Sequence, residues 1–111
     1  MQRLASPEAF RDVFEKGIRC HLALGLYLIK PNAHSFARLG LVIAKKKLRH
    51  SVNRHYLKRI QRESFRQAQF LFAGYDIVFV ANHKSTQLCR RDIFTACQAD
   101  WRSLIKRLPK S

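Results

Sequence analysis

Residues 45–66 read KKKLRHSVNRHYLKRIQRESFR and set Lys45, Lys46, Lys47, Arg49, Arg54, Lys58, Arg59, Arg62 and Arg66 against a single acid, Glu63. A block of like charge repels itself unless an anion lies beside it. The same run places Val52, Leu57, Ile60 and Phe65 at roughly helical spacing, so it reads as a folded helix with one apolar side and one cationic side. Whatever the fold, it must pack the first side on a core and leave the second open to a polyanion.

The flanking segments supply that core. Ser6-Pro7-Glu8 combines an N-cap, a proline at the first helical position and an acid at the positive helix end, which predicts a short helix to Lys16. Gly17 is expected to stop it in a left-handed conformation. In 22–29, Leu22, Leu24, Leu26 and Leu28 alternate with Ala23, Gly25, Tyr27 and Ile29, a strand covered on both faces. Pro31-Asn32 turns the chain into a second strand, 38–44, with Leu39, Leu41 and Ile43 on one face; the two strands are expected to form a hairpin. Ser51 is the expected cap of the basic helix, which should run to Phe72 and end at Gly74. Its apolar side combines Val52, Tyr56, Ile60 and Ser64 with Leu57, Phe65, Ala68, Leu71 and Phe72. The run 75–81, YDIVFVA, is rich in β-branched and aromatic residues and reads as a central strand. A last helix over 88–108 carries Ile93, Cys97, Trp101, Leu104 and Leu108 on one stripe. The succession α-β-β-α-β-α predicts an α+β protein, a two-layer α/β sandwich forming one domain over 1–111.

Composition narrows the partner. The chain has 22 Lys and Arg against 7 Asp and Glu, a formal charge of +15 in 111 residues, while 47% hydrophobic and 11% aromatic content rules out a disordered basic tail. RNA is the leading partner. No apolar stretch approaches membrane-span length and MQRLASPEAF lacks a signal-peptide core, so no membrane partner is expected and the cytoplasm is the expected location. Cys20, Cys89 and Cys97 have no metal-ligand spacing and are expected to be buried free thiols. The five histidines are scattered. A nuclease acting alone would need paired carboxylates or a histidine pair; Asp12 and Glu15 are the only close acids outside the caps, on an exposed helix side, so no catalytic residue is assigned.

Within the basic helix Arg54, Lys58 and Arg62 follow one another at four-residue steps and line one face, spaced to track a phosphate backbone. Phe10 and Phe14, beside Val13, suit a core by pattern and also suit stacking on unpaired bases. Tyr27 reads as a packed tyrosine more readily than as part of such a platform.

Phe10, Val13, Phe14 and Gly17, then a strand ending in Lys-Lys, a basic helix and finally GYDIVFVA: this order resembles the protein subunit of bacterial ribonuclease P over nearly the whole chain. The family's Arg-Asn-Arg block, followed by Lys-Arg and Arg-Glu, is matched by Arg54, Lys58, Arg59, Arg62 and Glu63. His55 and Tyr56 stand where the pattern has Asn and Arg, which removes one guanidinium. The family's Lys-Lys pair falls on Lys45 and Lys46, or on Lys46 and Lys47 with a one-residue shift. The resemblance implies the order α-β-β-(β)-α-β-α, a ribosomal protein S5 domain 2-like fold. It further implies an accessory subunit that assists removal of the 5′ leader from precursor tRNA, while an RNA subunit carries the active site and its Mg2+. The protein alone would hold no cofactor and need no obligate protein partner. By position, Lys45, Lys46, Arg54, Lys58, Arg59 and Arg62 would contact the RNase P RNA subunit, and Phe10 and Phe14 the leader. A ribosomal or other structural RNA-binding protein explains the charge and the fold equally well and fails only on the motif order.

Overall fold

Ser6 accepts a hydrogen bond from the Ala9 amide at 3.4 Å and Pro7 opens helix α1, Pro7–Lys16, as its sequence predicts. The surrounding chain is seen in a computed structural model that describes residues 3–43, 51–82, 85 and 88–108, with 51–53 as backbone alone. Gly17 departs from the expectation: its backbone is extended (φ −72°, ψ 153°), not left-handed. The reason is a strand that periodicity did not give but the order α-β-β-(β)-α-β-α implied by the resemblance has room for, β1 (Ile18–His21), which begins immediately after the helix and pairs antiparallel with β2 (Gly25–Pro31). Only Cys20 of β1 is buried, so its residues carry little of the alternation by which strands are recognised.

The sheet is completed by β3 (Arg38–Val42) and β4 (Tyr75–Ala81), in the spatial order β1-β2-β4-β3. The expected hairpin between β2 and β3 does not form. Instead, β4 lies between them, antiparallel to β2 and parallel to β3. With Asp76 to Phe79 all buried, β4 takes a central place, and the parallel β3–β4 pair requires the long crossover that the basic helix provides. The hairpin that does exist joins β1 to β2 through a tight turn in which the Leu22 amide bonds to the Gly25 carbonyl at 2.9 Å. Leu22 and Leu24 therefore leave the predicted strand row, and Leu24 joins the core on the opposite side from Leu26 and Leu28.

One sheet face presents Tyr27, Ile29, Leu39, Ile77 and Phe79 to two helices, α2 (Ser51–Ala68) and α3 (Arg90–Arg107), which contribute Leu57, Phe65, Ile93, Cys97, Trp101 and Leu104. These make the two layers of the sandwich. The short α1 crosses the other face, where Val13 and Leu4 meet Leu28 and Val78. A 3₁₀ turn over Gln69–Phe72 buries Phe72 but leaves Leu71 60% exposed, so Leu71 is not part of the apolar side assigned to it. Gly74, at φ +87°, then reverses the chain into β4, a conformation that side chains disfavour. Of the cysteines, Cys20 and Cys97 are buried as expected; Cys89 is exposed, because it precedes α3 and lies outside its apolar stripe.

One polar network ties the layers together and a second braces the sheet. Gln61, wholly buried on α2, donates to the Tyr27 hydroxyl at 2.8 Å and accepts from the Trp101 indole at 2.8 Å. Tyr27 donates in turn to Asp100, whose carboxylate also accepts the Ala23 and Leu24 amides of the β1–β2 turn at 3.0 and 2.9 Å. At the far end of the sheet, Arg38 forks onto Asp76 at 2.8 and 2.7 Å, and Asn32 adds a bond at 2.8 Å. Both buried carboxylates are thereby satisfied, the condition under which polar groups tolerate a core.

Candidate nucleic-acid interface

β3 is an edge strand, and three separate elements converge on it. The N-terminal segment pairs alongside, Arg3 opposite Leu39, with the Leu4 amide bonded to the Leu39 carbonyl at 3.0 Å. From α1, the Phe10 ring lies directly on Gly40; a Cβ at that position would come within 2.6 Å of ring atoms, so only glycine admits the ring there. From the other side α2 brings Lys58 and Arg62. Between them lies a groove of about 150 Å³ lined by Arg3, Phe10, Gly40, Lys58 and Arg62 together with leucine side chains and no acid. An aromatic wall beside cationic groups is the arrangement that holds a base by stacking and its phosphate by charge.

The sequence reading placed Phe10 and the α2 cations with different RNAs; the structure gathers Phe10, Lys58 and Arg62 into one groove. Arg59 is exposed and Arg54 half-buried on the same helix. Among the described residues Arg54, Lys58, Arg59 and Arg62 form no ion pair, whereas Arg66 is bound to Glu63 and holds that carboxyl below the usual range. Lys45 and Lys46, with Lys47 and Arg49, lie outside the described residues. Phe14 is half-buried, packs on the second core cluster and does not line the groove. Tyr27 is wholly buried, and burial pushes its phenol far above the ordinary range, so it is no stacking platform. Arg3 was missed. Its place depends on a single bridge to β3, for which no periodicity gives a signal.

Four of the acids are already engaged. Asp12 bonds Lys30 at 2.7 Å and Lys16 at 3.2 Å, and these two ammonium groups pull its carboxyl below the usual range. Asp76, Asp100 and Glu63 have the partners given above. Among the described residues no three His, Cys, Asp or Glu side chains converge in a way that could hold a metal ion, and no helix is long and apolar enough to cross a membrane.

The family model for Ribonuclease P matches residues 1–108. The chain belongs to the ribonuclease P protein family. It is 36% identical to the ribonuclease P protein component of Methylococcus capsulatus over 95% of this chain and 82% of that protein. The corresponding component of Azotobacter vinelandii is 39% identical, with 99% and 85% covered. The solved RNase P protein from Thermotoga maritima superposes with a TM-score of 0.83 at 28% identity, over 96% of this chain and 100% of that one. The Staphylococcus aureus RNase P protein, at 21% identity and a TM-score of 0.82, shares the fold over 94% and 95% of the two chains. Family membership makes the chain an RNA-binding ribonucleoprotein component with a part in tRNA processing.

Proposed function

We propose that this chain is the accessory protein subunit of ribonuclease P, binding the catalytic RNA subunit and the 5′ leader of precursor tRNA so that the leader is removed endonucleolytically. The observation that carries the reading is the acid-free groove on the β3 edge, which unites Phe10 with Arg3, Lys58 and Arg62. A single-stranded leader offers unpaired bases for the ring and phosphates for the cations. Arg54, Lys58, Arg59 and Arg62 contact the RNA subunit, as Lys45 and Lys46 do by their place in the sequence, and Phe14 serves the leader together with Phe10. Asp12, Glu63, Asp76 and Asp100 are bound to partners within the chain; the hydrolytic chemistry and its magnesium are assigned to the RNA subunit, and the complex works in the cytoplasm.

The test is reconstitution. Purified protein, ribonuclease P RNA and precursor tRNA are mixed at low magnesium, and the 5′ end of the product is mapped. Maturation that needs both macromolecules is the expected result. Cleavage by protein alone would make it a nuclease in its own right, and indifference to the protein would make it a structural RNA binder.

A further inference from the structure

The contact between Tyr56 and Arg90 lies outside the groove. Tyr56 sits half-buried on the flank of α2 that faces α3, its ring packed against the main core. Arg90, the first residue of α3, lies exposed with its guanidinium over that ring, 5.2 Å from the centroid. The two helices run in the same direction, since Tyr56 meets Arg90, Ile60 meets Cys97 and Gln61 meets Trp101. Their N-terminal ends therefore share one end of the molecule, and that end carries Arg54, Arg90 and Arg91.

We propose that Arg90 is a phosphate contact for the RNA bound along α2, with Tyr56 as its positioning residue; this rests on the RNA-binding function proposed above. A guanidinium held by its face against an aromatic ring keeps its edge N–H groups free to fork onto phosphate oxygens. Among the described residues Arg90 forms no ion pair. Asp92, two residues on, does not share its helix face. Holding one more cation next to Arg91, in a chain of net charge +15, is unfavourable for the free protein. The stack on Tyr56 offsets part of that repulsion, and a bound phosphate removes it. The ring thus lets α3 deliver a charge to a surface otherwise built by α2.

Binding of ribonuclease P RNA is measured against salt for the wild type, Arg90→Ala, Tyr56→Phe and the double variant Tyr56→Arg/Arg90→Ala, with circular dichroism to verify folding. Arg90→Ala should lower affinity about 5-fold at 0.1 M salt and reduce the log–log slope by about 0.7, the loss of one phosphate contact. Tyr56→Phe, which keeps the ring, should bind like the wild type, and the double variant, which returns a guanidinium from α2, should recover both readouts. Wild-type affinity and slope in Arg90→Ala would overturn the proposal while leaving the general function standing. Tyr56→Phe with the affinity and slope of Arg90→Ala would overturn the positioning role of the Tyr56 ring. Failure of the wild type itself to bind this RNA would instead sink the proposed function.

Discussion

Replacing Gln61 with leucine keeps the volume of the side chain but removes both of its hydrogen bonds, and the structure indicates what each is worth. Trp101 is 4% exposed and Gln61 0%, so in Gln61→Leu the Trp101 indole N–H has neither partner nor water. An orphaned buried donor costs about 1–3 kcal/mol. Tyr27 loses a donor too, yet keeps Asp100 as acceptor at 2.9 Å, which limits that loss to under about 1 kcal/mol. The sum, about 2 kcal/mol, should lower the melting temperature of a chain this size by roughly 8 °C. Trp101→Phe alone strands the Gln61 carbonyl and leaves a void, while the double variant strands neither group. Its destabilisation should therefore fall short of the sum of the singles by about 2 kcal/mol, measured by urea denaturation as a double-mutant cycle. Additivity to within about 0.5 kcal/mol would show that the indole bond is energetically idle and refute the reasoning.

Removing Arg54, Lys58 and Arg62 together, each to Ala, should reduce the salt slope of RNA-subunit binding by about 2, at about 0.7 per contact, with the fold intact by circular dichroism; an unchanged slope would take this face of α2 out of the interface. Phe10→Ala should weaken precursor tRNA more than mature tRNA, and more than Phe14→Ala does, because only Phe10 lines the groove; equal effects on both RNAs would make it purely a core residue. Burial pushes the Cys97 thiol up to about 11 from 9.0. The unfolded chain thus loses this proton first, and the stability contribution, whole below pH 9, should fall by about 2 kcal/mol as pH rises to 11, with a shallower fall in Cys97→Ala by denaturant titration.

Local signals were readable and pairings were not. α1 and β4 lie where capping residues and a β-branched run put them, because those signals are contained within the segments. The β2–β3 hairpin failed because pairing depends on which strand is buried most, and β4, over thirty residues on, outcompetes β3 for the place beside β2. Gln61 gave no signal in the sequence, since its burial is justified only by Tyr27 and Trp101, on other elements. For the site, the spacing of Arg54, Lys58 and Arg62 was legible, and the order of motifs pointed to the family. That Phe10 and Arg3 join two of those cations required the tertiary meeting at Gly40 and Leu39.

The two margins of the sheet are finished differently. Along β3 the N-terminal segment occupies part of the border, whereas β1 is left as the other margin, only four residues long, with Arg19 and His21 exposed. A short, cationic border is a poor template for a further strand from another molecule. A protein that must keep a large charged surface uncovered until its RNA arrives is thereby protected from growing into aggregates through its own backbone.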